Sequence, residues 1–315
     1  MKIVFMGTPR AAALSLERLV ADGHEVTAVY TQPDRPSGRG NKITFSPVKE
    51  FALGRGIPVW QPPKIRSEEA LQTFRSHQAD VAVVVAYGRI LPEGFLNAFP
   101  FGALNVHFSL LPKYRGAAPV NWAIVRGETE TGVTTIQMNA GLDTGDILLQ
   151  RATSIDEEET SIELMERISN LGAELISETL SKIHDLTPLP QNNDLATLAP
   201  MMKKQDGLID WSLTAEEISR RVRGFQPFPS SFTYHNNCKL TLWRAHPAVE
   251  VEVREIEPGT VIEAKADRLL VACGNSTALA TEEIQPEGKR RMAARDFVNG
   301  GKVRAGDIFD SDTIG

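Results

Sequence analysis

The stretch "DVAVVVAYG" (80–88) decides how the chain folds. An apolar run of this length, closed by a glycine, suits a strand covered on both faces rather than one that is half solvated. Such a strand needs helices above and below a parallel sheet, and the flanking sequence supplies them. On its N-terminal side "SEEALQTFRSH" (67–77) has a helical period, and "IPVW" (57–60) precedes it. Further back, "SPVKEFALGRG" (46–56) opens on a Ser-Pro start signal, and "HEVTAVYT" (24–31) reads as a strand. At the N-terminus "KIVFMG" (2–7) predicts a buried strand, with Thr8 and Pro9 opening the helix "AAALSLERLVADG" (11–23). On the C-terminal side the alternation continues through "ALNVHF" (103–108), "APVNWAIVRG" (118–127) and "GVTTIQM" (132–138). A long helix spans 160–183, with Thr160 and Glu163 as its capping box. Strands alternating with helices define a Rossmann-like, doubly wound, mostly parallel α/β domain, assigned to residues 1–184.

The character of the chain changes after His184. "DLTPLPQNNDLATLAP" (185–200) is rich in Pro and Asn and lacks a period, so residues 185–205 are expected to be a linker. A helix at 214–225 follows. Short strands at 231–236, 239–245, 259–264, 268–274 and 277–284 then predict a small β-barrel over residues 206–315.

Composition narrows the chemistry. The 315 residues are 42% hydrophobic and 23% charged, ordinary for a globular protein, and no apolar run is long enough to span a membrane. No secretory signal is expected, because "MKIVFMGTP" is broken at once by Gly7, Thr8 and Pro9. Cys238 and Cys273 suit free thiols in a reducing cytoplasm. A net charge of −6 argues against coating nucleic acid at large, while leaving room for one RNA partner on a local basic patch. "GTPRAA" (7–12) lacks the glycines of a dinucleotide fingerprint.

One segment does not belong in a core strand or in a simple loop. In "NVHFSLLPKYRGAAP" (105–119), Asn105 and His107 project from the same strand face, at the edge where open α/β sheets place ligands. A lone histidine there is most often structural. An amide beside an imidazole can also stabilise an oxyanion and move a proton. In "NAGLDTGDILLQ" (139–150), Asp143 stands between Gly141 and Gly145 after another strand, on a turn that could carry its carboxylate to the histidine. Asp beside Gly is more commonly a plain turn former. With no second His or Cys nearby, the set makes a poor metal site.

The arrangement "NVHFSLLPKYRGAAPVNWAI" followed by "GLDTGDI" resembles the folate-dependent formyltransferases. The likeness extends through "GTP" (7–9), "TQPDRPSGRG" (31–40), "SPVKEFA" (46–52), "VVVAYGRILP" (83–92), "ETGVTTIQM" (130–138), "IDWSLTAEEI" (209–218) and "FQPFPSSF" (225–232). It implies that Asn105, His107 and Asp143 are the catalytic trio. Ser109, Leu110, Leu111 and Pro112 would form the folate turn, with Tyr87 and Gly88 on the wall near the pterin. It also implies 10-formyltetrahydrofolate as donor, no metal, a monomer, and an OB-like second domain that contacts tRNA. Arg35, Gly38, Arg39 and Lys42, in the basic loop 33–42, fall where the tRNA-formylating branch reaches its acceptor, the initiator methionyl-tRNA. Further cations stand at 219–224 and 288–292. A formyltransferase acting on a nucleotide amino sugar would keep the trio without that loop, and a non-catalytic tRNA-binding module would keep the loop without the trio. Phe108 departs from the pattern, since the family places a small residue there; alternation predicts that it packs behind the site.

Overall fold

The computed structural model describes residues 1–37, 42–248, 251, 253 and 255–310. In chain order the elements are β1 (Lys2–Gly7), α1 (Arg10–Ala21), β2 (Glu25–Tyr30), β3 (Arg35–Ser37), β4 (Lys42–Thr44), α2 (Pro47–Gly54), β5 (Val59–Trp60), α3 (Glu68–Ser76), β6 (Val81–Val85), α4 (Glu93–Leu96), β7 (Ala103–His107), β8 (Arg115–Gly116), α5 (Pro119–Val125), β9 (Glu130–Gln137), β10 (Asp146–Ser154), α6 (Ser161–Ser181) and β11 (Leu198–Ala199). Then come α7 (Ala215–Gly224), β12 (Ser231–His235), β13 (Cys238–Pro247), β14 (Val261–Lys265), β15 (Arg268–Cys273), β16 (Thr277–Pro286), β17 (Met292–Ala293) and α8 (Ala294–Asn299). Two compact units divide the chain: one takes residues 1–119, 130–154 and 165–200, and the other takes 120–129, 155–164 and 201–315.

The first unit is built on a seven-stranded sheet in the order β10-β9-β7-β6-β1-β2-β5. From β5 to β7 every neighbouring pair is parallel. β9 then runs antiparallel to β7, and β10 antiparallel to β9, so "GVTTIQM" lies in the same sheet but reversed. The valines of β6 are buried, as a strand covered on both faces requires. Tyr30, Phe74, Phe95 and Phe99 fill the layer on one face, with Phe74 and Phe95 ring centroids 4.5 Å apart.

Several helix starts match their sequence signals. The Ser46 hydroxyl accepts from Lys49 N–H at 3.1 Å to cap α2, and Ser67 accepts from Ala70 N–H at 3.2 Å to cap α3. α1 differs: Pro9 is its N-cap residue, without a side-chain cap. Thr8 is used elsewhere, its hydroxyl accepting from Gln32 N–H at 3.3 Å beyond β2. Residues 185–200, expected to be a linker on composition, carry β11 and pack in the first unit; β11 pairs in parallel with β8.

The second unit contains the five expected strands as an antiparallel sheet in the order β12-β13-β16-β15-β14, with β17 on β16. The ladders leave β12 and β14 as edges, and the segment 308–310 bridges to both sides: Asp310 to Tyr234 and Ile308 to Thr260. Inside sit Trp211, Leu240, Leu242, Val271, Leu279 and Phe309, among others. The indole N–H of Trp211 donates to the Thr233 hydroxyl at 3.1 Å, so its burial leaves no polar atom stranded. Among the described residues no helix is long and apolar enough to cross a membrane.

Candidate active site

β7 lies inside the sheet, flanked by β6 and β9, with Asn105 paired to Val84 and Ile136 and His107 paired to Thr134. The pleat puts Asn105 and His107 on one face and Val106 and Phe108 on the other. Both site residues are nearly enclosed, at 9% and 6% exposure. Phe108 does pack behind them. A methyl added to Gly172 of α6 would lie 3.1 Å from both the Phe108 ring and Val106, so Gly172 leaves the space the ring occupies.

The two nitrogens of His107 have different surroundings. Nε2 lies 2.9 Å from the Tyr114 carbonyl oxygen, which can only accept, so Nε2 carries a proton and donates it there. Nδ1 faces the Asp143 carboxylate with 3.6 Å between Nδ1 and Oδ2. That separation is beyond a good hydrogen bond, so Nδ1 remains free for a substrate atom while feeling the nearby negative charge. The Tyr114 backbone carbonyl thus orients the ring. Tyr114 itself sits at φ +62°, and its N–H donates to the Thr197 hydroxyl at 2.9 Å.

Asp143 is held in the left-handed region, at φ +51°. Its Oδ2 accepts from Gly116 N–H at 2.9 Å. Gly116 is itself at φ +127°, and a Cβ there would lie 2.5 Å from the Ala199 carbonyl, so no other residue fits. The Gln191 amide donates to the carbonyls of Asp143 and Gly145 at 2.8 and 2.7 Å. Its Oε1 accepts from Nε and Nη2 of Arg115 at 3.0 and 2.7 Å, and Nη2 also reaches Asn193 Oδ1 at 2.9 Å. Sequence reasoning left Arg115 without an assignment and placed Gln191 in a linker. Paired hydrogen-bonding residues 76 positions apart have no local signature.

The turn at 109–112 is braced from below. Thr134 Oγ1 donates to the Ser109 carbonyl at 2.6 Å and accepts from Leu111 N–H at 3.1 Å. Gln150 Nε2 donates to the Leu111 carbonyl at 2.8 Å. The Ser109 hydroxyl is fully buried and donates to the Lys113 carbonyl at 2.6 Å, so Ser109 shapes the turn. Pro112 follows a cis peptide bond. Leu111 is buried and Leu110 half-buried. At the end of β6, the Tyr87 carbonyl accepts from Gln32 Nε2 at 2.9 Å, and Gln32 Oε1 accepts from Arg89 Nε at 3.1 Å. Gly88 turns there at φ +78°. Tyr87 is 2% exposed, its hydroxyl has no partner among the described residues, and burial pushes its phenol above the usual tyrosine range.

Of the basic loop, Gly38 and Arg39 lie outside the described residues. Arg35 and Lys42 are at the two ends of a small antiparallel ribbon, β3 pairing with β4. Its base is fixed by an ion pair of Asp34 with Lys49 and by Gln61, whose Nε2 donates to Asp34 Oδ1 at 2.9 Å. Hydrogen bonds from Lys49 and then Gln61 hold the Asp34 carboxyl below the usual carboxylate range. The one acid of the loop is therefore already neutralised by Lys49. Among the described residues no group of three His, Cys, Asp or Glu side chains is gathered to hold a metal ion.

A buried imidazole with one free nitrogen, a carboxylate beside it and an amide on the same strand face have the chemistry that acyl-type transfer requires. The chain belongs to the formyl transferase family: residues 1–180 match Formyl transferase and residues 201–302 match Formyl transferase, C-terminal domain. It is 45% identical over 311 residues to the methionyl-tRNA formyltransferase of Alkaliphilus oremlandii, covering 98% of this chain and 99% of that one. It is 48% identical over 310 residues to the methionyl-tRNA formyltransferase of Koribacter versatilis, covering 98% of each. Among solved structures, WlaRD, a sugar 3N-formyl transferase crystallised with dTDP and 5-N-formyl-THF, superposes with a TM-score of 0.66 at 18% identity. That match covers 92% of this chain and 99% of WlaRD, and at this identity it speaks to the fold alone.

Proposed function

We propose that the protein transfers the formyl group of 10-formyltetrahydrofolate to the α-amino group of initiator methionyl-tRNA, giving N-formylmethionyl-tRNA for translation initiation. The observation that carries the chemistry is the free Nδ1 of His107, 3.6 Å from the Asp143 carboxylate and on the face that also presents Asn105. The acceptor rests on 45–48% identity along the whole chain to proteins named for that acceptor. The sugar-acting neighbour shares only 18%.

In this reading the amine attacks the formyl carbon, and the carbonyl oxygen becomes an oxyanion. Asn105 Nδ2–H donates to it, a donor typically worth about 2.7–4 kcal/mol, while His107, with its proton on Nε2, keeps the Nδ1 lone pair to take up a proton. An esterified α-amine has a pKa below the roughly 7.7–8.0 of a free one, so a useful neutral fraction exists near pH 7 and no strong base is needed. As the new C–N bond forms, the ammonium proton passes to Asp143. It is then delivered, directly or through His107, to folate N10 as the C–N10 bond breaks. Proton count and charge balance across the cycle. Ser109, Leu110, Leu111 and Pro112, with Tyr87 and Gly88, bound the folate. Arg35, Gly38, Arg39 and Lys42 meet the acceptor end of the tRNA, and the OB-like unit in residues 206–315 meets tRNA backbone, with a salt dependence near one log unit per phosphate contacted. The protein acts as a cytoplasmic monomer, which size-exclusion chromatography checks.

The test offers labelled 10-formyltetrahydrofolate with initiator methionyl-tRNA and a dTDP-amino sugar as competing acceptors. Label should enter the tRNA. Label in the sugar alone would replace the acceptor assignment, and label in neither would remove the transfer.

A further inference from the structure

We propose that Gln191 is a positioning residue for Asp143, locked in register by Arg115, an inference that rests on the formyl-transfer reading for its kinetic consequence. A glutamine amide can face two ways, and here the choice is forced. Both guanidinium atoms that reach Gln191, Arg115 Nε and Nη2, can only donate, so Oε1 must face them. The NH2 group must then face the opposite side, where it finds the carbonyls of Asp143 and Gly145. One amide thus grips the acidic turn on either side of Thr144. Arg115 is itself 7% exposed and cannot swing away without stranding a buried charge.

The strap that carries Gln191 is tied down on both sides. Leu189 and Ile147 exchange both backbone hydrogen bonds at 2.8 Å, and Leu198 and Ala199 pair with Arg115 and Gly116. The same strap supplies the Thr197 hydroxyl that accepts from Tyr114 N–H, and the Tyr114 carbonyl orients His107. Residues 189–199 therefore set the position of both partners across the His107–Asp143 gap. Asp143 occupies a left-handed conformation, which costs a non-glycine residue free energy that the surrounding bonds offset. Without the clamp, the turn can relax and carry the carboxylate away from Nδ1.

Misplacement of a reacting group by about 1 Å costs on the order of 10²-fold in rate. Gln191→Ala should lower kcat by roughly 10- to 100-fold with KM for folate and tRNA within about twofold. Gln191→Glu keeps the acceptor for Arg115, and hence the strap, but loses both donors; it should fall with the alanine variant. If Gln191 acts through Asp143, adding Gln191→Ala to Asp143→Asn should change kcat by less than about twofold. Multiplying losses would mean a general structural role and overturn the proposal, as would kcat of both single variants near the parent's. A readout independent of turnover is amide exchange at Gly116, whose N–H is bonded to Asp143 Oδ2. Exchange should quicken in both Gln191 variants. Unchanged protection there refutes the positioning role whatever the activity, whereas a parent protein that fails to formylate refutes the functional reading and leaves this measurement decisive.

Discussion

Asp143→Asn tests what the carboxylate contributes once its geometry is fixed. The substitution is nearly isosteric, and the new amide oxygen still accepts from Gly116 N–H, so the turn should survive. What disappears is a negative charge 3.6 Å from His107 Nδ1. At an effective dielectric of about 20, two unit charges at that distance attract by about 4.6 kcal/mol, and by about half as much at about 40. The Asp143 side chain is 16% exposed, which favours the lower end. In the transition state Nδ1 takes up part of the proton in transfer, so the imidazole gains only part of a charge. A loss of about 2–4 kcal/mol then corresponds to roughly 30- to 900-fold in kcat. The oxygen that keeps the Gly116 bond is also the atom facing Nδ1, and as a neutral amide oxygen it carries no full charge there, so it offers no rescue. Single-turnover transfer from labelled 10-formyltetrahydrofolate to saturating methionyl-tRNA measures the step, with KM for folate as the control for intact binding. A variant within about threefold of the parent in that step would refute the charge argument. A loss confined to folate KM would assign Asp143 to binding instead.

Further outcomes are expected from the structure and, at Arg39, from the resemblance in the sequence. Phe108→Ala empties the space over Gly172 and should cost about 3–5 kcal/mol of stability in urea, while kcat below the melting transition stays within a few-fold. Arg39→Ala should raise KM for methionyl-tRNA and leave folate KM alone; the reverse pattern would move the basic loop to the folate side. At the start of α7 the Thr214 hydroxyl and then its backbone N–H hold the Glu217 carboxyl below the usual range. A depressed folded pKa stabilises fully above the unfolded value of about 4.3 and is lost as pH falls through the folded value. Glu217→Gln should therefore flatten the acid limb of stability against pH, and Thr214→Ala should cost about 0.5–2 kcal/mol at pH 7.

The sheet was legible because burial on both faces leaves a mark in adjacent residues: the valines of β6 and the alternation of β7 are local patterns with a physical cause. Asn105 and His107 were legible for the same reason, being two residues apart on one strand. Asp143 was marked by its glycine-flanked turn after a strand, but nothing in "GLDTGD" says which way an Asp-Gly turn will point. The reversed direction of β9 was not legible at all, since "GVTTIQM" has the same side-chain pattern in either orientation. Nor was the strap. Its stretch from 185 onward is held by backbone pairing with β8, by a glutamine and by one threonine hydroxyl, none of which needs an apolar period. Composition records burial of side chains, and this segment is fixed chiefly by hydrogen bonds.

The two faces of β7 explain why Phe108 can depart from the family pattern. The face holding Asn105 and His107 is constrained by chemistry, and each ring nitrogen of His107 has a set neighbour. The opposite face is constrained only by volume, and volume can be exchanged between partners. Gly172 of α6 has no side chain where the Phe108 ring lies, and Val133 of the neighbouring strand borders the same point. A large residue on the strand is thus answered by the smallest residue on the helix, and the sheet need not move. A small residue at 108 would then call for a larger one at 172, so the two positions should be coupled in stability. Gly172→Ala alone should crowd the ring, whereas Gly172→Ala with Phe108→Leu should recover part of the loss. Additive effects of the two changes in urea denaturation would show that the ring finds its room elsewhere.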